Sequence, residues 1–175
     1  MTEETNSNTD TITDIAAPVY LKYQFIAGQS PARFLVQLKK GVLTGQSCPI
    51  CNNVYCPPRG SCPSCGVATE DEVVLSGKAT VESFTIVAIP IPGNPIKPPY
   101  VIANLVADGA NISFIHLMSE CNNDEVRKGQ RVEAVWIPEE EWGHAMNNIR
   151  YFKPLDEKDI APEKIGKLSL TGEEI

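Results

Sequence analysis

Four cysteines stand in the pattern Cys48-x2-Cys51-x10-Cys62-x2-Cys65, within the run CPICNNVYCPPRGSCPSCG. Two Cys-x-x-Cys pairs at this spacing make two tight knuckles whose thiolates can converge on one tetrahedral Zn2+. Four thiolates close the coordination sphere and leave no position for an activated water, so the expected metal is structural. Zinc binding also contributes folding energy to a Pro- and Gly-rich stretch too short to bury a core alone. The competing reading is two redox pairs or disulfides. A thioredoxin-type pair opens a helix after a strand, whereas this context is turn-rich. Cys56 lies outside the paired spacing and reads as a small packed or surface residue. Cys121, in SECNND, has no basic neighbour in the sequence to lower its pKa, so it reads as structural.

The chain has only two histidines. His116, in the middle of NISFIHLM, reads as a packed strand residue rather than a base. His144, in a loop beside Trp142, is the better surface candidate, since loops joining barrel strands often carry function. No Ser–His–acid pattern is present, so a self-contained hydrolase is poorly supported. The loop IPIPGNPIKPPY carries five prolines between 90 and 99. Prolines remove backbone donors and stiffen the chain, so this loop is expected to project. Pro92, Asn94, Lys97 and Tyr100 are its candidate partner- or substrate-facing residues, with Lys97 able to meet a phosphate. The bland alternative is a rigid connector that blocks edge pairing.

The elements that position these residues follow from periodicity. Residues 1–14 are polar and acidic and read as a disordered tail. Residues 15–43 form a helical docking segment. Within SPARFLVQLKKG, Ser30 is the expected cap, Pro31 the first helical residue and Gly41 the stop. Phe34, Leu35 and Leu38 make an apolar stripe, with Lys39 and Lys40 at the dipole's negative end. Phe34 and Leu38 could cover the barrel or dock onto another subunit. The preceding PVYLKYQFIAG is apolar enough to pack as a second short helix or an extended arm. The zinc ribbon spans 44–68. Over 69–154 the period switches to strands: EVVLSGKATVESFTIVAIPI with Gly77 as a bulge or bend, YVIANLVA and NISFIHLMSE joined at Asp108-Gly109, then RVEAVWIP and NIRYFKP. About five strands without crossover helices suggest a five-stranded OB-like antiparallel barrel in a mainly β chain. Residues 155–175 form a charged C-terminal tail, mobile or draped on the surface.

Bulk properties limit the functions. Formal charge is −7, which argues against a phosphate-backbone partner, and no basic groove interleaved with aromatics is visible. No apolar run is long enough to span a bilayer. The N-terminus has four acidic residues and no Lys or Arg, unlike a secretory signal. Paired CxxC motifs without a signal fit a reducing cytoplasm.

The order of helical segment, zinc ribbon and barrel resembles the DUF35 family of zinc-ribbon/OB-fold acyl-CoA-associated proteins. The match is carried by the cysteine run, SGKATVESFTIV, PPYVIANLVADGA and DEVRKGQRVEAVW leading to IRYFKP, and it covers roughly 16–154. The resemblance implies a non-catalytic subunit in a cytoplasmic hetero-oligomer with a thiolase-fold catalytic subunit. The complex would act on acyl-CoA thioesters, with β-ketoacyl-CoA thiolysis the leading reaction and benzoylsuccinyl-CoA, in aromatic-compound degradation, the narrower expectation. Aldolase and acyltransferase partners are the family's other outcomes. A single-stranded nucleic-acid module and a stand-alone acyl-CoA carrier are the readings from other classes.

Overall fold

The computed structural model describes residues 16–167 of the 175-residue chain. The expected tail over 1–14 lies outside them, as do residues 168–175. The described part is mainly β, with a single α-helix, a small ribbon sheet and a closed five-stranded barrel.

Helix α1 runs Gln29–Leu38, and Ser30, Phe34 and Leu38 form its buried face at i, i+4 spacing. Ser30 is not the cap. Gly28 holds that position at φ 78, so Pro31 falls inside the first turn. The Ser30 hydroxyl is used elsewhere: with its amide oriented to suit its neighbours, buried Gln46 donates to Ser30 Oγ (3.0 Å) and to the Thr69 carbonyl (2.8 Å). Gly41, at φ 71, ends the helix as expected.

The ribbon sheet has the order β2-β1-β3, from β1 (Thr44–Ser47), β2 (Val54–Tyr55) and β3 (Asp71–Val74). The run EVVLSGKATV therefore serves two sheets. Gly77, at φ 81, divides β3 from β4 (Lys78–Val87), because β3 pairs antiparallel with β1 from Thr44↔Val74 to Ser47↔Asp71.

The barrel closes in the order β4-β5-β6-β8-β7, with β5 at Tyr100–Ala107, β6 at Ser113–Met118, β7 at Arg131–Trp136 and β8 at Ile149–Pro154. The hairpin at Asp108-Gly109 pairs Val106 with Ser113 and Val101 with Met118. The register slip in β4 falls between Val81 and Ser83 rather than at Gly77. Pairing is antiparallel except for one parallel contact, Met118↔Phe152, which closes the barrel. One core unites both parts: Phe34, Leu38 and Leu43 pack with Val81, Val101, Leu105, Val132, Ile149 and Phe152. A smaller cluster joins Cys48, Tyr55 and Cys62 to Ile112 of the barrel.

The stretch after β8 is tied down as far as Lys167. Leu155 and Ile160 N–H groups donate to the Arg131 and Gly129 carbonyls at 2.9 and 2.8 Å. Glu157 accepts from Lys78 Nζ and Arg131 Nε, and Asp159 meets the Arg127 guanidinium with both oxygens. No helix among the described residues is long and apolar enough to cross a membrane.

Candidate metal centre and partner surface

The two cysteine pairs sit on matching knuckles. In the first, the Asn52 N–H donates to the Cys48 carbonyl at 3.0 Å; in the second, Gly66 N–H donates to Cys62 at 2.9 Å. Asn52 (φ 59) and Gly66 (φ 70) both take the left-handed conformation that returns the chain. Each first cysteine is also held from behind, Cys48 N–H by the Asn53 carbonyl and Cys62 N–H by Val67. The outcome is four Sγ atoms all within 4.8 Å of one another, with Cys48 and Cys62 buried, Cys65 half-buried and Cys51 exposed.

The surroundings of these sulfurs suit a cation. Backbone N–H groups of Ile50 and Cys65 point at Cys48 Sγ (3.5 Å) and Cys62 Sγ (3.4 Å), and the Tyr55 hydroxyl lies 3.2 Å from Cys62 Sγ. That hydroxyl above all lowers the Cys62 thiol to about 6. Burial and the adjoining sulfurs push Cys65 up to about 12. Thiols this close cannot all ionise without a positive charge among them, and a divalent ion supplies it. Four thiolate sulfurs this close together fit a tetrahedral Zn2+ with no open position. The chemistry it would supply is structural, holding the two knuckles together.

The remaining thiols lack what a nucleophile needs. Cys56 is buried in the main core, and burial raises it to about 12. Burial also raises Cys121, which has no cationic neighbour. His116 packs its ring edge against Phe152 at 5.3 Å, takes the Leu117 N–H on Nδ1 at 3.0 Å, and has its pKa lowered by burial. These are packed residues, not a reacting set.

The candidates for a partner surface divide. Phe34 and Leu38 are buried in the chain's own core and so are not available for docking; the helix packs on β1 and the turn at Met146–Asn148. Tyr100 is likewise buried, and its hydroxyl accepts from Asn94 Nδ2 at 3.0 Å, so both residues hold the proline-rich loop. Asn94 Oδ1 also takes the Ile96 N–H at 3.0 Å. Pro92 and Lys97 stay exposed on that loop. Trp142 is a structural wedge: its ring lies against Gly41, its Nε1 donates to the Ile137 carbonyl at 2.9 Å, and the Trp136 ring packs against it at 5.7 Å, tilted by 59°. His144 is exposed beside it.

One apolar surface is the extended arm before α1. Val19, Tyr20, Leu21, Tyr23, Phe25 and Ile26 are each 75–97% exposed and form no regular element. A second apolar surface is a cleft of about 530 Å3 between β6 and the start of β8, lined by Ile96, Ile115, Leu117, Met146 and Ile149, with Arg150 and His116.

A four-cysteine ribbon joined to a five-stranded barrel through a shared core defines a zinc-ribbon/OB-fold protein. The comparisons are specific. Residues 37–71 match the family described as "ChsH2, rubredoxin-like zinc ribbon domain", and residues 72–137 match "ChsH2, C-terminal OB-fold domain". A "DUF35 domain-containing scaffold protein" of Methanocaldococcus jannaschii is 36% identical over 96 residues, covering 54% of this chain and 67% of the relative. One of the same description from Methanothermobacter thermautotrophicus is 31% identical, covering 54% and 71%. The chain belongs to the DUF35 family. Among solved structures, "Ltp2-ChsH2(DUF35) aldolase" aligns with TM-score 0.56 at 22% identity, over 73% of this chain and 95% of that one. A DUF35 protein from Sulfolobus solfataricus aligns with TM-score 0.52 at 20% identity, over 70% and 81%. At these identities the two structures establish the fold.

Several working residues have no signature in the sequence. Tyr55 on Cys62, Gln46 between helix and ribbon, and Arg131 on Asp108 are contacts across 7 to 23 positions that no local pattern announces. The stretch PVYLKYQFIAG, expected to pack as a second short helix or an extended arm, is extended and its large apolar side chains stay exposed rather than packed.

Proposed function

We propose that this chain is a non-catalytic, scaffold-type subunit that docks onto a thiolase-fold catalytic partner acting on acyl-CoA thioesters in the cytoplasm. The observation that carries the reading is the arm: six large apolar side chains in eight residues stand in solvent beside an otherwise well-buried core. A surface of that kind marks a contact with another macromolecule. Two features support the assignment of chemistry to the partner. The four thiols form a closed set suited to structural zinc, and the described residues bring together no nucleophile, base and orienting acid. The scaffold description of the relatives and the aldolase complex among the fold matches favour a catalytic partner. The nucleophile and base would belong to that partner. The proline-rich loop, with Pro92 and exposed Lys97, would reach its surface or cap its substrate channel.

Carbon–carbon cleavage of a β-ketoacyl-CoA is the reaction we assign to the complex, with benzoylsuccinyl-CoA as the narrower candidate. An aldolase partner is the second reading, favoured by the aldolase fold match.

The test is affinity capture from the native lysate by the full chain and by a chain lacking residues 16–27, followed by mass spectrometry. A thiolase-fold protein retained only by the full chain is expected. Capture of nucleic acid instead, or equal capture by both chains, would refute the docking reading. The purified chain alone is expected to leave β-ketoacyl-CoA intact.

A further inference from the structure

The turn between β5 and β6 meets the zinc ribbon through one residue. The Asn111 backbone N–H donates to the Val54 carbonyl at 2.9 Å, and its Oδ1 accepts the Val54 N–H at 2.7 Å. Val54 lies on β2, the outer strand of the ribbon sheet. Asn111 thus satisfies both main-chain groups of Val54, as a paired strand would. Its Nδ2 donates to the Gly166 carbonyl at 3.0 Å. One side chain therefore holds three segments distant in sequence: the ribbon, the barrel hairpin and the stretch after β8.

This contact sits on the metal side of the ribbon. Val54 lies between the two cysteine pairs, next to Tyr55, whose hydroxyl reaches Cys62 Sγ. Ile112, the residue after Asn111, packs onto the cluster of Cys48, Tyr55 and Cys62. The strap runs close on the far side: a Cβ at Gly166 would stand 3.7 Å from the Asn111 carbonyl and 3.9 Å from Val106 Cγ1.

We propose that Asn111 is a positioning residue that joins ribbon, barrel and the C-terminal strap around Gly166, so that metal loading at the four cysteines is transmitted to residues 163–167. The inference rests on the reading of those cysteines as a zinc site. With metal bound, the knuckles fix β2, β2 presents Val54 to Asn111, and Asn111 is oriented to hold Gly166. With metal removed, β2 loosens, Asn111 loses its partner, and the strap is released although it touches no cysteine.

The test is hydrogen–deuterium exchange on the full chain, zinc-loaded and after chelation, with metal content measured on each sample. In the wild type, chelation is expected to speed exchange at Val54, at Asn111 and across 163–167, while Ile160 stays protected by its bond to the Gly129 carbonyl. In zinc-loaded Asn111→Ala, Val54 and the strap should both exchange about fivefold faster, the scale of one hydrogen bond lost. Asn111→Asp separates the two bonds: it keeps the acceptor for Val54 but cannot donate to Gly166. The ribbon should stay protected while the strap is freed. If chelation loosens the ribbon without changing 163–167, or if zinc-loaded Asn111→Asp keeps the strap protected, the coupling is wrong. Absence of zinc from the wild type would instead refute the metal reading. The wild-type comparison decides the matter even if Asn111→Ala does not fold.

Discussion

Arg131 is the side chain whose loss should cost most. It is 3% exposed, beside an Asp108 that is 1% exposed. Its two Nη atoms meet the Asp108 carboxylate at 2.6 and 2.5 Å and Thr80 Oγ1 at 2.9 Å, and Nε reaches Glu157 at 3.1 Å. Replacing Arg131 by Met leaves a carboxylate buried without its cation, expected to cost about 3–5 kcal/mol in urea unfolding. Arg131→Met with Asp108→Asn should recover part of that loss. Glu157, at the solvent end of this network, predicts a pH effect. Lys78 first, then Arg131, holds its carboxyl below the ordinary range. A depressed folded-state pKa gives stability that is present above the unfolded value and lost as pH falls through the folded one. Glu157→Gln should therefore cost no more than about 1 kcal/mol at neutral pH, because the pair is partly solvated. That difference should close as the protein is titrated below about pH 4.

At the scale of elements, the decisive contacts are those that lock α1 to the loop before β8. Asn148 Nδ2 donates to the Leu38 carbonyl (2.9 Å) at the helix end, and Trp142 lies on Gly41. A Cβ at Gly41 would stand 2.3 Å from the Trp142 ring, and φ there is +71°. Gly41→Ala should cost roughly 1–3 kcal/mol and shift the tryptophan emission, since Trp142 must move. This level also separates what was legible from what was not. The paired cysteines, the helical stripe and the hairpin at Asp108-Gly109 are set by spacing along the chain, so they can be read directly. The start of α1 could not be, because the Ser30 hydroxyl is drawn away by Gln46, sixteen positions on. Nor could the partner of β3: EVVLSGKATV reads as one strand, and only the distant β1 divides it. Phe34 and Leu38 have the pattern of either a docking face or a core face; the packing partners gathered from both ribbon and barrel decide for the core.

For the whole molecule, ribbon and barrel share a core and a set of side-chain ties, so they form one body carrying an extended arm. Removing residues 16–27 should accordingly leave the thermal unfolding midpoint almost unchanged while abolishing capture of the partner. On the proposed docking, that arm also makes an unassembled copy chemically distinguishable from an assembled one. Tyr20, Leu21, Tyr23 and Phe25 lie on open backbone, which is what a protease with aromatic preference requires. Brief chymotrypsin treatment of the isolated chain should cut there first and leave the ribbon–barrel unit whole, and the partner should suppress the cut. In a cell, the same exposure would place surplus copies within reach of quality-control proteolysis, so that subunit numbers are matched by turnover as well as by synthesis.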